Sequence, residues 1–70
     1  MKILINELDE NPNTFIISTE EPGFTDFSFT YQRDGSIYVI ETECYYYDLE
    51  QLTKWYELYC KTEGLRNENN

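Results

Sequence analysis

The central part of the chain alternates apolar and polar side chains on either side of a glycine-containing turn. The segments "FSFTYQ" (27–32) and "SIYVIETE" (36–43) flank the dipeptide Asp34-Gly35. Alternation with period two is typical of a β-strand with one buried face, and Asp-Gly is a strong signal for a two-residue hairpin turn. The pattern therefore predicts an antiparallel β-hairpin centred on this dipeptide.

A two-residue turn also fixes which residues of the two strands face each other. It places Tyr31 opposite Tyr38 and Phe29 opposite Ile40. One face of the hairpin then carries the large side chains of Phe27, Phe29, Tyr31, Tyr38 and Ile40. The other face carries Ser28, Thr30, Gln32, Ile37, Val39, Glu41 and Glu43. We expect Phe29 and Ile40 to be buried, and the second face to be solvated.

A helix is predicted after the hairpin. Asp48 is a favourable N-cap, and Gln51 three residues later completes a capping-box pattern. Tyr47 and Leu52 have the spacing of a hydrophobic staple, and Gly64 fits the residue just past the helix. An apolar stripe with helical spacing consists of Leu49, Leu52, Tyr56, Tyr59 and Cys60. The stripe predicts that this helix packs on one face of the sheet.

The N-terminal region is less regular. "TFIIS" (14–18) predicts a strand, whereas residues 2–11 fit either a strand or a short helix that ends before Pro12, with the helix slightly favoured. The whole pattern predicts an α+β fold: an antiparallel meander of three or four strands, a C-terminal helix on one face and a short N-terminal helix or strand. We expect one domain over 1–64 and a polar tail over 65–70.

Charge narrows the class of partner. The 70 residues include 14 acidic and 5 basic side chains and no His, for a net charge of −9. Such a surface repels nucleic-acid phosphates and anionic membranes, and it attracts basic proteins through long-range steering. Neither a signal peptide nor a long apolar segment is recognisable, which predicts a cytoplasmic protein of a bacterial cell.

The residue types offer little catalytic chemistry. The lack of His removes the commonest general base. Cys44 and Cys60 are too few for a structural zinc site, and three glycines do not form a phosphate-binding loop. The chain is also too short to enclose both a core and a substrate pocket. We therefore expect a protein that is not an enzyme and needs no cofactor or metal.

Three consecutive tyrosines precede the helix and are candidates for a binding surface. Tyr46 continues the parity of the predicted buried face and is expected to cover the edge of the core. Tyr45 continues the parity of Glu41 and Glu43 and is expected to lie beside them on the polar face. Exposed tyrosine is a favoured anchor at protein interfaces, so Tyr45 joins the candidate partner-binding residues.

The segment "FSFTYQR" followed by "DGSIYVIETE" and a capped helix resembles the small acidic anti-CRISPR proteins of phages and prophages. The resemblance covers about residues 1–62 and implies a short helix, three antiparallel strands and a final helix. It implies an inhibitor that occupies the PAM-reading site of a type II RNA-guided nuclease as a DNA mimic. Asp34 and Gly35 match the family's turn, whereas Glu41 and Glu43 are offset by one position from its first glutamate.

The candidate partner-binding residues are therefore Asp34, Gly35, Glu41, Glu43 and Tyr45. The partner expected for them is a basic, nucleic-acid-handling nuclease or effector of the bacterial host. Two other interpretations fit the same surface: an immunity protein or antitoxin that neutralises a basic toxin, and a small protein-interaction subunit. Ile37 and Val39, on the predicted solvated face, are compatible with self-association.

Overall fold

A computed structural model describes residues 2–68, with side chains described for residues 2–62. Five strands form one antiparallel sheet in which each strand pairs with its neighbour in sequence. The strands are β1 (Ile3–Glu7), β2 (Thr14–Thr19), β3 (Phe27–Tyr31), β4 (Ile37–Val39) and β5 (Cys44–Tyr46). They are followed by one helix, α1 (Leu49–Glu68). The predicted α+β fold is confirmed. The sheet has five strands, whereas the sequence predicted three or four.

The connections between successive elements lie alternately at the two ends of the sheet. The β1–β2 loop, the β3–β4 turn and the β5–α1 junction lie at one end, which we call the upper end. The β2–β3 and β4–β5 loops lie at the opposite, lower end. The helix therefore begins at the upper end. It runs toward the lower end, where the Tyr56 hydroxyl donates a 3.0 Å hydrogen bond to the Thr25 carbonyl.

The core lies between the sheet and α1. The sheet contributes the buried side chains Ile17, Phe27, Phe29, Ile37 and Val39, and the helix contributes Leu52, Tyr56 and Cys60. Trp55 and Tyr59 extend this core, because both rings contact Phe27 edge-on with centroids 5.1 and 5.0 Å away. Such edge-to-face pairs add to the stabilisation from burial alone. The apolar stripe predicted for the helix is confirmed for Leu52, Tyr56, Tyr59 and Cys60, whereas Leu49 is 38% exposed.

The predicted register of the β3–β4 hairpin is wrong by one residue. Tyr31 faces Ile37 and Phe29 faces Val39. The turn contains three residues instead of two, because Gln32 donates to the Ser36 carbonyl at 2.8 Å and Gly35 donates back to Gln32 at 3.0 Å. Gly35 has a φ of +90°. A type I turn followed by a glycine in this conformation is the usual three-residue hairpin connection.

The one-residue shift exchanges the predicted faces of β4. Ile37 and Val39 are fully buried, whereas Ile40 is 43% exposed. The prediction that Ile40 is buried is therefore wrong, and the prediction for Phe29 is confirmed, since it is fully buried too. Because Ile37 and Val39 are covered by the helix, they are not available as a surface for self-association.

The strand predicted to run on through Glu43 ends at Val39. A turn at residues 40–43 reverses the chain into β5, and Val39 faces Cys44 across the new hairpin. Glu43 has a φ of +55°, in the left-handed region that few residues other than glycine and asparagine adopt. Glu41 and Glu43 therefore belong to a loop, and the predicted display of both on one strand is wrong.

The N-terminal segment is a strand and not a helix. The short helix, which the sequence slightly favoured, is therefore wrong. Ile5 of β1 faces Ile17 of β2, so the apolar run joins the sheet. The connection to β2 contains Asn13 with a φ of +65°, and Thr14 donates to the Asn11 carbonyl at 3.1 Å. Proline followed by a positive-φ residue suits a type II turn. The short first helix implied by the anti-CRISPR resemblance is therefore absent from residues 2–48 of this fold.

The helix begins as predicted. The Asp48 carboxylate accepts a 2.9 Å hydrogen bond from the Gln51 backbone N–H, and Gln51 Oε1 accepts one of 2.6 Å from the Tyr47 N–H. The first bond satisfies a donor that the first turn of a helix leaves unpaired, and the second holds the backbone N–H of the residue before the N-cap. Two predictions are wrong: Tyr47 is 84% exposed instead of stapled to Leu52, and the helix continues through Gly64 to Glu68.

Over the described part of the chain, no helix combines the length and the apolar character needed to cross a membrane.

Candidate functional site

Negative charge is concentrated at the two ends of the sheet. The upper end carries Glu7, Asp9, Glu10, Asp34 and Asp48, and the lower end carries Glu20, Glu21, Asp26, Glu41 and Glu43. All of these side chains are exposed. Among the described side chains, the one ion pair joins Glu50 and Lys54 on the helix, at 3.5 Å. The carboxylates at the ends of the sheet are therefore not neutralised by close cations within the described structure.

Asp34 is held in a fixed position by the turn it belongs to. Its Oδ1 accepts hydrogen bonds from the Ser36 backbone N–H at 2.9 Å and from the Ser36 hydroxyl at 2.6 Å. These bonds favour the ionised carboxylate, so they lower the pKa of Asp34 below its ordinary value. The result is a carboxylate that is ionised at neutral pH and has a defined orientation at the upper end.

Glu41 also has a structural contact. Its Oε1 accepts a 2.8 Å hydrogen bond from the Ser28 backbone N–H, next to the point where the Ile40 N–H donates to the Ser28 carbonyl at 2.8 Å. The carboxylate thus takes over the role of a strand carbonyl just after β4 ends. Glu41 is both an exposed charge and part of the β3–β4 ladder.

The three tyrosines have three different environments. Tyr46 packs against the core, with its ring 5.4 Å from that of Trp55, as predicted. Tyr45 is 66% exposed, as predicted, and its ring lies 4.8 Å from Tyr38. It lies on the face opposite Ile37 and Val39, so the face predicted for it is wrong. Tyr47 is the most exposed of the three. One tyrosine is therefore structural, and two are available to a partner.

A shallow groove lies at the upper end between the β3–β4 turn and the start of α1. Its volume is about 420 Å³, and it is lined by Asp34, Ser36, Tyr45, Tyr46, Tyr47 and Gln51. A groove this open does not enclose a small molecule. It offers aromatic surface beside one oriented carboxylate, a combination that suits a side chain of a protein partner.

The fold divides the predicted site residues between two places. Asp34, Gly35 and Tyr45 lie together at or beside the upper groove. Glu41 and Glu43 lie in the β4–β5 loop at the lower end. The pKa of Tyr38 is raised, mainly by the partial burial of its hydroxyl and further by the negative charge of Glu43. The five residues therefore outline the β4–β5 side of the molecule and do not form one cluster.

Sequence reasoning missed Tyr31 and Tyr47 as exposed aromatic residues, and it missed Tyr38 as a half-buried one on the face opposite the helix. Tyr38 was assigned to the core because the hairpin register was shifted by one residue. Tyr47 was assigned to a staple that the structure does not contain. Tyr38 is identified by its position opposite Tyr45 in the β4–β5 pairing. The turn that makes this pairing possible contains no typical turn residues, so the sequence does not predict it.

Comparison of the chain with protein-family models, with curated proteins and with solved structures found no match. The likeness to anti-CRISPR proteins therefore has only the sequence features named above as its support.

Proposed function

We propose that this chain is an acidic inhibitor, of the anti-CRISPR type made by phages and prophages, that binds the nucleic-acid site of a basic host nuclease or effector. The observation that carries the proposal is the placement of exposed carboxylates at both ends of a rigid sheet, without close cations in the described residues. Lysine and arginine side chains that normally neutralise phosphates bind carboxylates through the same charge-assisted hydrogen bonds.

The sheet supports this proposal by keeping the charges apart at a defined distance. Asp34 and Glu41 lie beyond opposite ends of β4, which places them roughly 13–17 Å apart at about 3.3 Å per residue. About five nucleotides of one strand of B-DNA cover a similar length, at about 3.4 Å per phosphate along the helix axis. Both carboxylates are fixed by hydrogen bonds to Ser36 and Ser28, so a partner would not have to order them.

The same hydrogen bonds decide how the proposal should be tested. Replacing Asp34 or Glu41 with lysine removes charge and breaks the turn or the ladder at the same time. Amide variants remove the charge and keep an acceptor oxygen. The informative protein is therefore Asp34→Asn combined with Glu41→Gln and Glu43→Gln. The three single amide variants are compared with the helix variant Glu57→Gln, which also removes one exposed charge.

The experiment has two stages. Partners are captured on the immobilised chain from the bacterial host, and each is assayed for nucleic-acid binding in the presence and absence of the chain. We expect a basic partner whose DNA or RNA is displaced, and an affinity that falls at least about tenfold in the triple amide variant. A partner that keeps its nucleic acid while bound, or binding that the amide variant leaves unchanged, would contradict the proposed function.

A further inference from the structure

None of the described residues covers the face of the sheet opposite the helix. Its strand residues are Leu4, Asn6, Thr14, Ile16, Ser18, Ser28, Thr30, Tyr38 and Tyr45. None of them is buried, whereas the helix-covered face contains five buried side chains. Ile40 extends this open face, because it follows the β3–β4 register to a position beside Ser28 and is 43% exposed.

The composition of the open face is unusual for a solvated sheet surface. A sheet face in water usually carries charged and polar side chains. Here the described strand positions carry hydroxyl, amide, aliphatic and aromatic groups, and none carries a charge. Leu4 and Ile16 lie toward one edge, and the Tyr38–Tyr45 ring pair lies at the other. Depletion of charge together with tyrosine enrichment is the composition of the centre of a protein interface.

The borders of the open face carry more acidic than basic side chains. The described cations there are Lys2, which continues the parity of Leu4 just before β1, and Arg33, which lines the groove beside Asp34. Glu20 continues the parity of Ser18 just below β2, and Glu41 and Glu43 follow β4 at the same end. Asp34 lies at the upper end beside Tyr45. An uncharged centre with acidic ends is complementary to an apolar patch surrounded by lysine or arginine.

We infer that the open face is the contact surface for the basic partner, and that this partner presents apolar residues flanked by lysine or arginine. The inference rests on the proposed function, since it locates the binding surface of that same partner. It also moves the centre of the interface from the acidic loops to the uncharged sheet between them.

The size of the face and the charge of the loops around it favour such a partner over a second copy of this chain. The 22 residues of the five strands, at about 3.3 Å along a strand and about 4.8 Å between strands, cover roughly 350 Å². A standard interface buries about 800 Å² on each side, so the loops at both ends have to take part. In a face-to-face dimer these loops would press carboxylates against carboxylates, in chains that each carry a net charge of −9. With a basic partner the same loops form ion pairs.

The test uses two photo-crosslinking variants with similar exposure on different faces. Tyr45, 66% exposed on the open face, and Leu58, 61% exposed on the helix, are each replaced with p-benzoylphenylalanine. The full chain is irradiated in host cells, and the crosslinked peptides are sequenced by mass spectrometry. We expect position 45 to crosslink, at least about tenfold more than position 58, to a peptide of another protein with Lys or Arg beside apolar residues.

Several outcomes would overturn the inference. Equal crosslinking at both positions, no product at position 45, a crosslink to a second copy of the chain, or a crosslinked peptide without basic residues would each do so. A second variant separates this inference from the proposed function. Thr30→Arg at the centre of the face should weaken binding of the captured partner about tenfold or more, with Leu58→Arg as the control.

The two proposals can then fail independently. If the triple amide variant weakens binding and Thr30→Arg does not, the acidic loops alone bind the partner and the inference about the open face is wrong. If Thr30→Arg weakens binding but the partner keeps its nucleic acid, the open face is the interface and the proposed function is wrong. Circular dichroism of each variant establishes that the fold is retained.

Discussion

Two isoleucines near the β3–β4 hairpin provide a sharp test of the register. Ile37 is fully buried and Ile40 is 43% exposed, although they are three residues apart. Replacing either with alanine removes the same three carbon atoms, so the chemistry of the change is matched and only the environment differs. The two-residue turn would bury Ile40 instead, and it predicts the opposite order of effects.

The magnitudes follow from burial. Three carbons at about 0.8 kcal/mol each, together with the cavity left behind, make Ile37→Ala cost about 3–4 kcal/mol. Ile40→Ala should cost about 1 kcal/mol, because much of that side chain is already in water. A chain of this length has a stability of roughly 4–10 kcal/mol, so the first variant loses a large share of it. At about 4–8 °C per kcal/mol, its melting temperature should fall by at least about 12 °C.

The assay is urea unfolding, followed by circular dichroism and by the fluorescence of Trp55, whose ring packs against the core. Equal slopes in the two variants would establish that both unfold from the same compact state. If Ile37→Ala does not fold, Ile37→Val and Ile40→Val give the same comparison at about 0.5–1.5 kcal/mol or less. An equal or larger loss at position 40 would refute the three-residue turn.

The remaining predictions concern three acidic residues. Ionised Asp34 should stabilise the turn fully above about pH 4, and this contribution should disappear as the pH falls through its lowered folded-state pKa. The melting temperature of Asp34→Ala should therefore lie below that of the unmodified chain at neutral pH, and the difference should shrink in acid. A difference that does not change with pH would contradict this role. Glu43→Gly should stabilise the fold by about 0.5–1 kcal/mol in urea unfolding, because glycine adopts a positive φ without strain, whereas Glu43→Ala should not. Glu41→Ala should cost about 1 kcal/mol by leaving the Ser28 N–H without its acceptor, while Glu41→Gln, which keeps an acceptor, should cost less than half as much.

Local signals in the sequence predicted the helix well and the hairpin partly. Asp48 and Gln51 act through side-chain contacts with nearby backbone groups, so their spacing alone is sufficient to recognise the cap. Asp34-Gly35 identifies a hairpin but suits both two-residue and three-residue turns. Because side chains alternate with period two, that difference of one residue exchanges the faces of β4. The choice is made by packing, which places Ile37 and Val39 under the helix.

The second hairpin could not be predicted from turn residues. Its loop has the sequence "IETE", without Gly, Pro or Asn, and its left-handed position is occupied by Glu43. Pairing of β5 with β4 and the hydrogen bond from Ser28 to Glu41 stabilise a conformation that the local sequence disfavours. The predicted site therefore placed Glu41 and Glu43 on one strand, whereas they belong to the loop between β4 and β5.

The simple order of the sheet has a consequence for how the chain reaches its native state. Each strand pairs with the strand next to it in sequence, so only a short loop separates the two strands of every pair. The Tyr56–Thr25 hydrogen bond spans 31 residues and belongs to the final docking of the helix. Low contact order of this kind favours rapid folding, since little chain entropy is lost before each native contact forms. The sheet can therefore grow one hairpin at a time, and helix docking completes the core.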